Sequence, residues 1–216
     1  MNTHEHGGGS ADPRTLTLTP AGVLHAFGEA EPDAPRRALQ SVLAAAELPT
    51  LAAWQAEQPA ALLAEALAAG WLEVLPRGRR APEPRLDAFI APVIASLSGE
   101  RRAALASGGG FCIGAVGYSP DEAEALCAAA ADFGEYTRRQ RARGWNTAGR
   151  VSFHTDIAML LPRVSFVPFW IDGTDYCLVL AGEPLLDNPA LVELAWALAG
   201  SGARYRTGPA ASAKPA

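Results

Sequence analysis

The sequence predicts an α+β fold, an antiparallel sheet flanked by helices, with a small N-terminal domain that is mainly helical. Three observations lead to this class. A glycine turn at residues 108–110 joins two short apolar runs and predicts a β-hairpin. Apolar residues spaced by three and four predict helices on both sides of this hairpin and at the end of the chain. The connections between later strands are too short for parallel crossovers, so the sheet is expected to be antiparallel.

Composition limits the classes of protein that fit. The chain has 216 residues, of which 49% are hydrophobic and 19% charged, and its formal net charge is −5. It is therefore long and apolar enough for one large or two small domains and too apolar for a disordered chain. No apolar run approaches the roughly 20 residues of a membrane span, and the acidic balance disfavours a general nucleic-acid binder.

Several features indicate a bacterial protein of the cytoplasm. Met1–Arg14 lacks the apolar region of a signal peptide. The three cysteines form no C-x-x-C pair and are expected to be buried free thiols in a reducing compartment. Arginine far exceeds lysine in an alanine-rich chain, which is typical of a GC-rich bacterial genome.

The first half is predicted to be helical. Thr19 followed by Pro20 is a typical helix start. Further on, Pro49 is expected to stop a helix and Gly70 to follow the end of another. The predicted elements after the first short helix are helices over Arg36–Leu48 and Gln58–Ala69 and a strand over Trp71–Leu75.

The second half alternates helices with strands. Ser119-Pro120-Asp121-Glu122 combines a cap, a proline at the first helical position and a capping box, so a long helix is expected to run to about Ala142. Pro92 is expected to kink the helix that precedes the hairpin. The predicted helices are Leu86–Leu97, the long helix and one starting at Asn188-Pro189; the strands are Arg102–Ser107, Phe111–Gly117, Val151–Thr155, Ala158–Leu161, Ser165–Ile171 and Tyr176–Ala181.

The order and residues of the second half resemble the roadblock/LC7 family over roughly Leu86–Tyr205. The resemblance rests on the hairpin run Ala103–Ser119, the acidic helix start Asp121–Leu126, the late strand Tyr176–Ala181 and the closing helix Asn188–Leu198. Gly108 replaces the usual acidic turn residue, and Pro162 and Pro168 predict an irregular strand edge. The resemblance implies a homodimer that pairs edge strands and helices and acts as a non-enzymatic scaffold or regulator, often beside a small Ras-like GTPase.

The first half, from Leu16 to Leu75, resembles a winged helix. Such domains often bind DNA through the third helix, here Gln58–Ala69, but this helix carries Glu65 and no basic residue. A protein-binding or structural role is favoured, and a DNA-binding regulator dimerised by the second half is the alternative. The resulting domain scheme is a disordered tail 1–15, a helical domain 16–82, a roadblock/LC7-like domain 83–207 and a disordered tail 208–216.

One candidate partner or dimer surface lies on the aromatic strand and near the end of the long helix. Phe166, Pro168 and Trp170 alternate onto one face of the strand, which meets either a partner or a layer of the same chain. Arginines near the helix end form an acidic-partner patch or complement the helix dipole. The candidate residues are Phe166, Pro168, Trp170, Trp145, Arg138 and Arg139.

A second candidate is the basic loop of Arg77, Arg79 and Arg80, which either contacts a phosphate or acidic partner or is simply solvated. Cys112, His154 and Asp156 provide the residue types of a thiol enzyme, but no motif places them together and a structural cysteine is favoured. The glycine turn lacks the spacing of a phosphate loop. No catalytic residue, cofactor or metal is therefore expected.

Overall fold

The structure is a computed structural model in which residues 14–82, 86–145 and 150–206 are described. The predicted tails fall largely outside these residues, as does the start of the predicted second domain at residues 83–85. Thr15, which the sequence assigned to the tail, instead begins the first strand with a side chain that is almost completely buried.

The first half forms a two-stranded antiparallel sheet whose strands are the first and last elements of a helical segment. Leu18 of the first strand pairs with Leu72 of the second, so the helices form the connection between them. The elements are β1 (Thr15–Leu18), α1 (Pro20–Ala26), α2 (Ala34–Gln40), a 3-10 turn (Ser41–Leu43), α3 (Leu51–Glu57), α4 (Ala60–Ala68) and β2 (Leu72–Leu75).

The second half consists of a helix, a hairpin, a long helix, three strands and a closing helix, which is the expected order without one of the four strands predicted after the long helix. Its elements are α5 (Leu86–Ser96), β3 (Ala103–Ser107), β4 (Cys112–Val116), α6 (Pro120–Ala142), β5 (Val151–Phe153), β6 (Val164–Ile171), β7 (Thr174–Ala181) and α7 (Pro189–Arg206). Within the described residues the strands form one antiparallel sheet in the order β4-β3-β7-β6-β5. The predicted α+β class, antiparallel sheets flanked by helices, is confirmed.

The start of α6 forms as the sequence predicts. The Ser119 hydroxyl accepts a hydrogen bond from the Glu122 amide at 3.3 Å, and the Glu122 carboxylate accepts one from the Ser119 amide at 3.0 Å. These hydrogen bonds from the Ser119 backbone and hydroxyl lower the pKa of Glu122, because they stabilise the charged carboxylate. The helix ends at Ala142, as expected.

Four elements differ from the prediction. Ala158–Leu161 forms no strand, and Met159 there has a positive φ of 52°, outside the range of a strand. The helix predicted over Arg36–Leu48 ends at Gln40, where a 3-10 turn directs Val42 and Leu43 into the core. Two elements were missed, β1 and α3, although Thr50 caps α3 by accepting from the Ala53 amide.

The two faces of the large sheet are covered differently. One face carries large aliphatic and aromatic side chains against α5, α7 and the first half of the chain. The other face carries small side chains against α6, together with Phe166; this cluster contains Ala104, Ala106, Cys127, Ala130, Phe166, Cys177 and Val179. The small residues allow α6 to lie close to the sheet, since little side-chain volume separates the two.

The aliphatic core is continuous from the first half of the chain into the second. Leu16 and Leu39 belong to the same buried cluster as Leu178 and Leu194. The Trp196 indole on α7 donates a hydrogen bond of 2.7 Å to the carbonyl of Ala45. The division into domains 16–82 and 83–207 remains a prediction, and buried contacts run across it.

Pro168 lies inside β6 without disrupting the sheet. It pairs with Cys177 of β7, whereas β5 covers β6 only from Val164 to Phe166. Proline has no backbone N–H to donate to a neighbouring strand. Because β5 does not extend alongside Pro168, the missing N–H leaves no β5 carbonyl without a donor. Two residues later, the Trp170 amide donates instead to the carbonyl of Phe27, at 2.9 Å.

We expect Trp196→Phe to destabilise the whole chain by about 1–3 kcal/mol, because the Ala45 carbonyl loses its donor and the buried ring loses volume. The free energy of unfolding from urea denaturation, followed by far-UV circular dichroism, measures the effect. Trp145→Phe is the matched control, since Trp145 is 63% exposed, and it should change stability by less than about 0.5 kcal/mol. Equal effects of the two variants would contradict this account of the core.

Candidate interaction surface

The segment after β5 exposes an unusual amount of apolar side chain. We define the apolar loop as residues 156–161, together with Phe153 at the end of β5. The exposed fractions are 54% for Phe153, 103% for Ile157, 66% for Met159, 78% for Leu160 and 62% for Leu161. Contiguous exposed apolar surface of this kind is typical of protein interaction sites.

The geometry of the apolar loop follows from the short strand before it. The Phe153 carbonyl accepts a hydrogen bond of 2.8 Å from the Arg163 amide, which closes the loop at its base. The Met159 amide donates to the Asp156 carbonyl at 3.2 Å, and the positive φ of Met159 turns the chain. The loop thus extends from the end of the β5–β6 hairpin with its apolar side chains in solvent.

β5 is an edge strand. It pairs with β6, and among the described residues no strand lies on its other side. Its register is reinforced by the hydroxyls of Ser152 and Ser165, which lie 2.7 Å apart. Unpaired backbone donors and acceptors on such an edge can pair with another chain.

A row of aromatic rings connects the β5 edge with the outer face of α6. Phe153 meets Phe166 edge-on at 5.7 Å between centroids, and Phe166 lies 6.3 Å from Phe133. Phe133 in turn stacks on Tyr136 at 6.4 Å, and Tyr136 is half exposed. The apolar loop and α6 therefore form one surface with a continuous aromatic base.

A cavity of about 490 Å³ lies between α6, the adjoining strands β6 and β7, and residues 29–31. The Arg141 guanidinium lies 5.4 Å from the centre of the Trp170 ring and 3.5 Å from the Glu29 carboxylate. Gly134 of α6 lines the cavity, and no atom beyond its chain neighbours and the adjoining helix backbone lies within 4 Å of the position its Cβ would occupy. The cavity carries charges of both signs, and its arginines have carboxylate partners from this chain.

The predicted surface residues are only partly accessible. Phe166 is 4% exposed because α6 covers this face of the sheet, so it belongs to the core of the chain. Pro168 and Trp170 are half-buried in the cavity wall. The Arg138 guanidinium pairs with Glu135 and lies 3.9 Å from Asp175, while Arg139 and Trp145 are exposed. Phe166 therefore leaves the candidate surface, and its other five residues remain on that surface as a prediction.

The basic loop is largely neutralised by the chain itself. Arg80 lies 2.9 Å from the Glu47 carboxylate, and Arg79 lies 3.5 Å from Glu193 on α7. The backbone carbonyl of Arg77 accepts a hydrogen bond from the Thr15 hydroxyl. Two of the three arginines thus serve intramolecular ion pairs, which weakens the attraction of this loop for phosphates.

Cys112 and His154, the two residues that a thiol enzyme would use as nucleophile and base, lie far apart in the fold. Cys112 belongs to β4 and His154 follows β5, and these are the two opposite edges of the five-stranded sheet. Four strand spacings separate the edges by about 19 Å. A nucleophile and its base must lie within hydrogen-bond reach of each other, so Cys112 and His154 of one chain cannot act as such a pair.

Other classes of site also lack support in the described part of the chain. No group of three or more histidine, cysteine, aspartate or glutamate side chains there has the arrangement to hold a metal ion. None of the described helices combines the length and the hydropathy that a membrane span requires.

Comparison with known proteins gives one structural similarity. No protein-family model and no curated protein matches the sequence. The chain is similar to the crystal structure of a Roadblock/LC7 domain from Streptomyces avermitilis, with 18% identity and a TM-score of 0.30, covering 49% of this chain and 82% of that chain. At this identity and TM-score the similarity carries no argument about function.

The apolar loop was missed at the sequence level because its residues were assigned to a strand. Ala158–Leu161 is a continuous apolar run, and such a run fits a buried strand as well as an exposed loop. Two signals in the sequence favoured a loop. Pro162 follows the run immediately, and no turn stands beside the run to pair it with a neighbouring strand.

We expect Gly134→Ala to raise the free energy of unfolding by about 0.5–1 kcal/mol, because alanine is the better helix former and its methyl group meets open cavity space. Thermal and urea denaturation measure this change. Gly110→Ala is the contrasting variant and should destabilise, since Gly110 has a φ of +81° and its Cβ would lie 3.3 Å from the Cα of Ala128. A destabilised Gly134→Ala variant would show that the helix requires glycine there.

Proposed function

We propose that this chain is a non-enzymatic scaffold or regulator that works as a homodimer and binds a further protein. The observation that carries the proposal is the apolar loop, five large side chains that are at least half exposed beside an open strand edge. The separation of Cys112 from His154 supports a non-catalytic role. The resemblance of the second half to the roadblock/LC7 family supports the same interpretation.

The apolar loop is large enough to contribute substantially to association. Fully burying a side chain of this size stabilises by about 1.5–3 kcal/mol, so five of them contribute on the order of 10 kcal/mol. Association costs about 4–15 kcal/mol in lost translational and rotational freedom. Pairing of the open β5 edge adds backbone hydrogen bonds and fixes the orientation of the partner.

A second copy of this chain suits the surface particularly well. A two-fold axis beside β5 would pair the strand antiparallel with its copy and bring the two apolar loops together. Such an axis places identical residues near one another, so charged residues would repel. Residues 151–162 contain a single acidic residue, Asp156, and no lysine or arginine. The segment therefore brings little like charge to such an axis.

The further partner is a protein rather than DNA in this proposal. Arg79 and Arg80 are already paired with carboxylates, and α4, the helix that would enter the groove of DNA, has no basic residue. A small Ras-like GTPase is the partner that the family resemblance implies. The exposed Trp145 and Arg139 lie at the end of α6, where they are accessible to it.

We expect the full chain to elute with twice its 22.5 kDa chain mass in light scattering after size exclusion, and Leu160→Asp to elute as a folded monomer. The introduced carboxylates would face each other across the two-fold axis without solvation. Phe111→Asp is the matched control, because Phe111 is 77% exposed but adjoins the β4 edge. It should leave the dimer intact.

Two results would overturn this arrangement. A monomeric wild-type chain at micromolar concentration would remove the homodimer. Dissociation by Phe111→Asp but not by Leu160→Asp would move the interface to the β4 edge. Circular dichroism of each variant establishes that the fold is retained.

A further inference from the structure

The three cysteines, widely spaced in the sequence, converge on one face of the sheet. Ala106 of β3 pairs with Cys112 of β4 on one side and with Cys177 of β7 on the other. Cys127 of α6 packs in the small-residue cluster that contains Ala106 and Cys177. The nearby Cys112 is one of the causes that raise the pKa of Cys127. Cys112 of the edge strand and Cys127 of the helix therefore lie around the same strand residue, Ala106.

The backbone of α6 also approaches this hairpin closely. A Cβ at Gly110, two residues before Cys112, would lie 3.3 Å from the Cα of Ala128 and 3.4 Å from the carbonyl oxygen of Cys127. The residues of β3 beneath the helix are Ala104 and Ala106, which add little thickness. A disulfide needs Cα atoms within about 4.4–6.8 Å, and small-residue packing of this kind brings helix and strand backbones toward that range.

The three thiols differ in access. Cys112 is exposed, whereas Cys127 and Cys177 are buried. Burial, followed by the neighbouring Cys112, raises the pKa of Cys127 to about 12. Burial likewise raises the pKa of Cys177 to about 12, and its Sγ contacts the Leu178 carbonyl at 3.7 Å. An oxidant in solution therefore meets Cys112 first, and Cys127 is the thiol beside it.

We propose that Cys112 and Cys127 form a redox modification site, a reversible intrachain disulfide that joins the β4 edge to α6. With a diazene oxidant such as diamide, the Cys112 thiolate adds to one nitrogen of the N=N bond. The Cys127 sulfur then attacks the Cys112 sulfur, the S–N bond breaks and the S–S bond forms. Both thiol protons and two electrons pass to the oxidant, which leaves as a hydrazine. A hydroperoxide supplies the same two-electron oxidation through a sulfenic acid at Cys112.

This site is independent of the proposed dimer. Cys112 lies on the β4 edge, and the apolar loop lies on the β5 edge at the other side of the sheet. The disulfide would hold β4 on α6 and leave the β5 edge accessible. Oxidation is therefore expected to leave the mass of the assembly unchanged, and failure of either proposal is distinguishable from failure of the other.

The test oxidises the folded full chain with diamide, alkylates free thiols under denaturing conditions and measures intact mass. We expect one remaining alkylated thiol per chain, reversed to three by dithiothreitol. Digestion after glutamate then separates the thiols, because Glu122 and Glu124 lie between Cys112 and Cys127, and Glu135 separates Cys127 from Cys177. The expected product links the Cys112 and Cys127 peptides.

Substituting each cysteine in turn identifies which two thiols form the disulfide. Cys177→Ser should retain the cross-link, while Cys112→Ser, at an exposed position, should reduce its yield at least tenfold. Cys127→Ala is the second variant that removes the cross-link, and alanine is chosen because it suits the small-residue cluster. A cross-link that contains Cys177 would overturn the assignment. An interchain disulfide between two Cys112 residues, or three alkylated thiols after oxidation, would overturn the proposal.

Discussion

The large sheet is organised by β7, which pairs with a strand on each side. β7 pairs with β3 from Tyr176 to Leu180 and with β6 along its whole length. It thereby joins the early hairpin to the late strands, and residues Cys177–Ala181 are buried on both faces. Because β7 and its two neighbours occupy the centre, β4 and β5 become the two edges. The locations of the apolar loop and of Cys112 follow from this order.

The two faces of this sheet are packed differently, and each packing decides which residues lie close together. The aliphatic face is covered by α5, α7 and the first half of the chain, and the hydrogen bond from Trp196 to Ala45 joins these layers. The opposite face has small residues, so α6 lies close to β3 and β4 and brings Cys127 beside Cys112. Toward β5 the larger Phe166 fills the space under α6, and the aromatic row from Phe153 to Tyr136 reaches the surface.

Much of the fold could be predicted from local signals. The capping box at Ser119 and Glu122 predicts the start of α6, and the glycine turn predicts the β3–β4 hairpin, since both depend on neighbouring residues alone. The apolar run before Pro162 could not be interpreted this way, because only the partner strands decide whether such a run is buried. Strand alternation grouped Phe166 with Pro168 and Trp170 on one face but left open what covers that face, because the burial of Phe166 depends on α6, which is distant in sequence. The convergence of the cysteines has the same origin, since it requires the strand order and the small-residue packing together.

The β5 edge and the apolar loop are the surface through which we propose that the chain associates. Hydrogen–deuterium exchange of the full chain, measured over a range of protein concentrations, distinguishes this surface from the β4 edge. Exchange in residues 151–161 should slow as concentration rises, while exchange in β4 should not change. Protection confined to β4, or exchange in residues 151–161 that is independent of concentration, would show that the chain does not associate through this surface.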